Sequence, residues 1–364
     1  MTKKQGLRLV VFIVLLGIVL NTMIGVFGFP PNDGTISIKK RFGEFYSGAE
    51  NTWDCVMVGA SCVDREWVAP LAWNDYGMAV YPMNTARQPL VLTTNILEEV
   101  REKQDVKLAV VDIRGIQMFT LRPEEAKIRN LLDNMKNSKN RYQAVKKIIK
   151  FYKEYFSRED VKDGQEMLEK LDEASLYLPF IKYHSRWKTG LYDSDFEGIT
   201  SDMKGVYEEQ AFVVKEVEPT KMVDETMELN ELQKSILDEI VNYGKDTGLE
   251  ILFITSPTHL SKREVIETKA AVRYLEEQGE KVIDYNTEEK YQEIGIDFSK
   301  DLYNEHHLNS RGAVKFTNYF AKYLHDNYQF EDKRGKDEYK DWDDAYVRYL
   351  EFYEKGWKDA EKEK

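Results

Sequence analysis

The chain opens with an almost unbroken apolar stretch, Leu7 to Phe29, interrupted only by Arg8 near its start and by Asn21 and Thr22. About 20 apolar residues span a bilayer, so this stretch predicts a membrane-crossing helix. Beyond it, short continuous apolar runs alternate with segments whose apolar positions fall at helical spacing. Val56-Met57-Val58, within 55–60, has the length of a strand buried on both faces. Asp64 to Asn74 predicts a helix, and Met78 to Tyr81 a second strand closed by Pro82-Met83-Asn84. Gln88 to Lys103 predicts a helix with Pro89 in its first turn, where proline is tolerated. Val106 to Ile113 is a third strand. Strand alternating with helix argues for an α/β fold with a parallel sheet.

The pattern then changes. From Pro123 to Asp172 the sequence is helical, charged and rich in lysine, and it breaks at Leu178-Pro179-Phe180. From there to about 222 it predicts loops and short strands, including Ala211-Phe212-Val213-Val214. Residues of about 123–222 therefore read as an insertion, serving either as a solvent-facing helical cap or as a lid. Sheet logic resumes with a helix over Glu225 to Thr247, carrying Leu229, Leu232, Ile236, Leu237 and Ile240, with Gly248 as its C-cap. Glu250 to Thr255 is a fourth strand, Arg263 to Gln278 a helix, Val282 to Tyr285 a fifth strand and Arg311 to Tyr328 a closing helix. The charged tail after Phe330 carries aromatic residues from Trp342 to Trp357 and predicts an amphipathic helix that packs on its own domain, a partner or a membrane surface.

Charge and the ends refine this picture. The net charge of −12 argues against nucleic acid as a partner. Lys3 and Lys4 precede the apolar stretch, so the positive-inside rule places the bulk of the chain outside the cytoplasm. A cleaved signal peptide is the alternative, but Gly25-Val26-Phe27-Gly28-Phe29-Pro30 offers no Ala-x-Ala site. Pro30-Pro31-Asn32-Asp33-Gly34 makes a turn-rich exit. Cys55 and Cys62 flank one strand, whose extension holds them too far apart for a disulfide.

The chemistry centres on Val58-Gly59-Ala60-Ser61. Gly59 and Ala60 permit a tight turn at the C-terminal end of a strand, where open α/β sheets keep their sites. Ser61 there is either a helix cap or a nucleophile. A nucleophile needs a base, a group to hold that base, and oxyanion donors. His307 is the candidate base, with His306 beside it, and Asn304 or Asp301 could orient the imidazole. The Cys62 N–H and a group from Asn84, Arg87 or Gln88 are candidate oxyanion or substrate contacts, Arg87 suiting an anionic group. His259, after the fourth strand, and His184, in the insertion, are secondary candidates with structural hydrogen bonds as the alternative. His325 reads as a surface residue. The histidines lack the spacing of a metal site, and no cofactor is implied.

Val58-Gly59-Ala60-Ser61, Asn84-Thr85-Ala86-Arg87-Gln88-Pro89 and Asn304-Glu305-His306-His307-Leu308-Asn309-Ser310-Arg311-Gly312-Ala313 together resemble the SGNH/GDSL hydrolase superfamily. They are similar above all to its membrane-anchored branch, which includes DltD and the alginate O-acetylation proteins. The resemblance covers about 55–115 and 225–328. It implies a three-layer, flavodoxin-like parallel-sheet domain over 35–330, between an N-terminal transmembrane anchor (1–34) and the tail (331–364). It maps the nucleophile onto Ser61 and the base onto His307. The family's aspartate three residues before the histidine is Asn304 here, and Asp112-Ile113-Arg114-Gly115 stands where a Gly-x-Asn-Asp block is expected. The implied function is extracytoplasmic acyl transfer or ester hydrolysis at the cell membrane. The implied partners are a cell-envelope polysaccharide or teichoic acid and a membrane-bound O-acyltransferase. A degenerate scaffold that binds glycan or such a partner is the alternative; a simple secreted esterase is a third reading.

Overall fold

In a computed structural model, residues 2–28, 30, 35–114, 116, 125–159, 161–196 and 198–362 are described. The apolar stretch is a single helix, α1 (Lys3–Val26), whose most apolar 18 residues have mean hydropathy 2.7 and whose side chains are nearly all exposed. It is long and apolar enough to cross a membrane. Thr2 and Gln5 cap its start reciprocally. Phe29 at the end of the apolar stretch, most of the exit turn (31–34) and Gly115 lie outside the described residues, as do 123–124 at the start of the insertion.

After the exit turn and before the first strand comes α2 (Ile36–Ser47). It buries Ile38, Phe42 and Phe45 and also Arg41, which is fully buried. That arginine donates to Asp64 (2.6 Å) and to the backbone oxygens of Asn84 (2.8 Å) and Gly205 (3.2 Å).

The first strand is β1 (Cys55–Val58). The helix expected over Asp64 to Asn74 is two short helices, α3 (Cys62–Glu66) and α4 (Ala69–Tyr76), divided where Trp67 turns extended ahead of Pro70. Then come β2 (Val80–Pro82), a 3-10 turn at Leu90–Leu92 where Pro89 delays the helix, and α5 (Thr93–Arg101). The third strand is β3 (Leu108–Asp112). Six helices follow: α6 (Glu125–Leu132), α7 (Lys139–Phe156), α8 (Gly164–Glu169), α9 (Glu173–Tyr177), α10 (Phe180–Tyr183) and α11 (Arg186–Thr189). The strand expected at Ala211–Val214 does not form. Its carbonyls accept instead from the start of the closing helix, Ala211 O from Ser310 N–H (2.8 Å) and Val213 O from the Asn309 amide (3.1 Å), and just beyond it Lys215 N–H bonds Leu302 O (2.8 Å) and Val217 N–H bonds Phe298 O (3.0 Å), which makes no regular ladder.

The sheet resumes through α12 (Glu231–Thr247), β4 (Glu250–Thr255), α13 (Lys262–Glu277) and β5 (Val282–Asp284). Asn230 caps α12 reciprocally with Gln233, which starts the helix six residues later than the pattern suggested. Gly248 ends it in the left-handed conformation. After α14 (Glu288–Ile294) a small antiparallel hairpin, β6 (Leu302–Asn304) and β7 (His307–Leu308), leads into α15 (Ser310–Asn327) and the tail helix α16 (Lys340–Lys362).

The five strands are parallel in the order β2-β1-β3-β4-β5. The path steps one way from β1 to β2 and the other way thereafter. Right-handed crossovers then place α3 and α4 on one face and α5, α12 and α13 on the other. The packing agrees: α5 meets α12, while α4 meets α15 and α16. Such a sheet opens its crevice at the C-terminal strand ends, where the direction reverses between β1 and β3. The tail is part of this body. Trp342, Ala345, Tyr349 and Trp357 are buried, and the Trp73 indole donates to Asp343 (2.8 Å). Cys55 and Cys62 are free, buried thiols.

A candidate Ser-His-Asn site at the sheet switch point

At the end of β1 the backbone turns on Gly59, where a β-carbon would lie 2.9 Å from both Asp112 Cβ and Val63 Cγ2. The glycine thus lets the β1 turn press against the end of β3 and places Ser61 at the start of α3. Ser61 does not cap that helix. Its Oγ instead lies 2.8 Å from His307 Nε2, a residue 246 positions away.

The hairpin explains how His307 is held. Asn304 pairs directly with His307 across the β6–β7 ladder, while Leu302 and Leu308 pack beneath. Directly opposed side chains in an antiparallel pair are within reach of each other. Asn304 Oδ1 lies 3.0 Å from His307 Nδ1 and also accepts the His306 backbone N–H at 2.8 Å. A backbone N–H only donates, so the atom facing it is the amide oxygen. His307 must therefore carry its proton on Nδ1 and present a bare Nε2 to the serine hydroxyl. Asn309 locks the base of the hairpin: its Nδ2 donates to Lys300 O (2.7 Å) and Val213 O (3.1 Å), and its Oδ1 caps α15 through Arg311 and Gly312.

The surroundings are cationic. Burial holds His307 well below the usual histidine range, and Arg114, Arg65, His306 and Arg87 push it the same way. Arg114 donates to His306 O (3.0 Å) and pairs with buried Glu66 (3.0 Å). Burial raises the Glu66 carboxyl to about 8 despite that partner. Arg65 donates to the Tyr303 hydroxyl at 2.7 Å and to Asp64 at 2.7 Å, and its guanidinium lies 3.9 Å from the centre of the Tyr207 ring. Tyr303 stacks on His307, ring centres 5.4 Å apart and planes at 6°. Buried Asp64 would have its pKa raised by burial alone; Arg65 and Arg41 hold it below its ordinary value.

No protein-family model matches this chain, and no curated protein matches it. The site therefore rests on its own geometry.

That geometry sorts the residues singled out from the sequence. Ser61, His307 and Asn304 come together. The Cys62 N–H stands in the first turn of α3, where a helix leaves amides without an acceptor of its own; its thiol is raised well above its usual range by burial and by Asp112. Asn84 is part of the scaffold, because its amide donates to Ala60 O (3.0 Å) and Asp64 (3.0 Å) and has no proton left for a substrate. Gln88 closes the same loop by accepting the Thr85 N–H (3.0 Å). Arg87 is exposed, in the left-handed region at φ 50°, and adds positive charge near His307. Asp301 does not orient the imidazole, since its carboxylate accepts the Asp297 N–H (2.7 Å) and pairs with Lys315 (2.6 Å). His306 stands exposed at the rim of the site, its pKa lowered by partial desolvation of the ring, with Arg114 and His259 pushing the same way. His184 bonds local carbonyls of Phe180 and Ile181. His325 is exposed and packs on Tyr76, ring centres 4.7 Å apart. Among the described residues, no three His, Cys, Asp or Glu side chains converge as metal ligands.

Arg65, Arg114 and Tyr303 were not singled out from the sequence. Arg114 had a readable signal: Val58 and Val111 are register partners, so the residues just after β3 share the edge that carries Ser61. Of the insertion, α7 packs on α5 and on the Leu90–Leu92 turn. Its last part supplies Tyr207 to the wall of the site and Lys215, which pairs with Glu305 (3.2 Å).

Proposed function

We propose that the protein is a serine acyl-transfer enzyme or esterase of SGNH type, acting outside the cytoplasm from a membrane anchor. The observation that carries this reading is the 2.8 Å contact between Ser61 Oγ and the bare Nε2 of His307, with the tautomer fixed by Asn304. Neutral His307 takes the serine proton as Oγ attacks an acyl ester or thioester. The imidazolium then protonates the leaving group, and a second cycle delivers the acyl group to an acceptor hydroxyl or to water. The Cys62 N–H, on the residue that follows the nucleophile, is the candidate oxyanion donor. Asn304 aligns the imidazole but supplies no negative charge, and the neighbouring arginines oppose the imidazolium, so turnover is slow. The positive surroundings favour an acceptor bearing anionic groups. With the resemblance, that suggests a cell-envelope polysaccharide or teichoic acid, with a membrane-bound O-acyltransferase as donor partner.

A second reading is a scaffold that keeps the crevice for binding glycan or a partner. The amide at position 304, where the family has a carboxylate, favours it. Full-length protein in detergent, assayed on a p-nitrophenyl acyl ester beside Ser61→Ala, separates the two. Release that disappears in the variant supports catalysis. Equal release from both sinks it.

A further inference from the structure

Outside α1, eight large apolar or aromatic side chains are exposed among the described residues, and four of them lie within 181–196: Ile181, Trp187, Tyr192 and Phe196. Trp187 is 64% exposed and Phe196 65%. This segment is fastened to the end of the apolar helix. α10 packs against α1, and Arg186 donates to Gly28 O (3.1 Å) and Val26 O (3.3 Å). Arg186 also bonds Asp195, which accepts from Lys39 at 3.0 Å, and its guanidinium lies 5.9 Å from the centre of the Tyr192 ring. One polar bond reaches further along α1, from Asn137 Nδ2 to Asn21 Oδ1 (2.9 Å).

Asn21 to Val26, where α1 ends, spans about 7.5 Å of helix axis at 1.5 Å per residue. That is close to the headgroup layer, since a bilayer is about 40–45 Å thick around a hydrocarbon core of about 30 Å. The exposed aromatics are therefore pinned at the height where α1 leaves the hydrocarbon. Aromatic rings flanked by Lys182 and Lys188 are the composition of a membrane–water interface. We propose that residues 180–196 form a collar that seats Trp187, Tyr192, Phe196 and Ile181 in the lipid headgroup boundary. The domain then meets the membrane at two places, α1 and the collar, and its tilt is set. The inference rests on α1 crossing the bilayer, not on the serine chemistry.

Trp187 makes this measurable, because the other five tryptophans are buried and α1 contains none. Full-length protein is reconstituted into phosphatidylcholine vesicles and tested for flotation, which reads α1 alone. The emission of wild type minus Trp187→Phe is then recorded in vesicles carrying brominated lipid. The collar predicts loss of this difference emission, greater with bromines near the carbonyl end of the acyl chain than near its methyl end, and shielding from aqueous iodide. Protein that floats, yet keeps an unquenched difference emission open to iodide, overturns the collar. Failure to float removes α1 as the anchor, and the collar with it.

Discussion

Replacing Asn304 by aspartate tests the electrostatics of the site most sharply. The amide oxygen already accepts two hydrogen bonds, from His307 Nδ1–H and from the His306 backbone N–H. A carboxylate can accept both without moving the hairpin, so the change is almost purely one of charge. A unit charge about 4 Å from the imidazolium is worth roughly 4 kcal/mol at an effective dielectric of 20. Solvent at the half-exposed rim and the cost of burying the new charge leave an expected rise in the His307 pKa of about 1 to 2. Each such step is about 1.36 kcal/mol, or tenfold if fully expressed in the transition state. Asn304→Asp should therefore speed phosphonylation of Ser61 by about tenfold to a hundredfold at neutral pH. The rate is read with a fluorophosphonate across pH, and the imidazole pKa by NMR. In serine proteases an asparagine at the corresponding role costs about ten-thousandfold in turnover through the wrong tautomer. Here the tautomer is already correct, so the gain should be much smaller than that. An unchanged or slower rate in a folded variant, with the imidazole pKa unmoved, would refute the reasoning.

Three further outcomes follow from the same structure. The lowered pKa of His307 keeps its base form present to well below pH 6.5, so the acid limb of the wild-type labelling profile should lie there and move upward in Asn304→Asp. In linkage terms, a depressed folded pKa adds stability above the unfolded value near 6.5, and that stability is lost as pH falls through the folded value. Gly59→Ala drives a methyl group into Asp112 and Val63 and should cost about 1–3 kcal/mol in urea unfolding, with reduced labelling. Glu66→Ala removes the carboxyl oxygen that accepts from the partly buried Arg114 and should cost about 1–3 kcal/mol, whereas Glu66→Gln, which keeps an acceptor for Arg114, should cost clearly less. Equal losses in both Glu66 variants would contradict the pairing argument.

The strands of the sheet were legible because burial on both faces demands unbroken apolar runs, as in β1, β3 and β4. α12 and α15 were legible from apolar spacing and their caps. The hairpin that presents Asn304 and His307 was not, because strands of three and two residues carry no period. α2 escaped because a core arginine, Arg41, breaks its apolar face and is compensated only by groups distant in sequence. Val213 read as strand from its β-branched neighbours, yet its partner segment offers no regular ladder. Within the site, residue types and position in the chain pointed to Ser61 and His307 and left Asn304 and Asp301 open as the orienting group; the resemblance singled out position 304. Arg65 and Tyr303 act through packing that only the assembled fold creates, and Asn84 looked like a donor until the neighbours that consume its protons were in place.

The most direct test of the central claim is fluorophosphonate labelling of the full-length protein in detergent, wild type beside Ser61→Ala and His307→Ala. An activated serine predicts labelling of the wild type, at Ser61, and its loss in both variants. A folded wild type that takes no label, or a Ser61→Ala protein that labels as well as wild type, would contradict it.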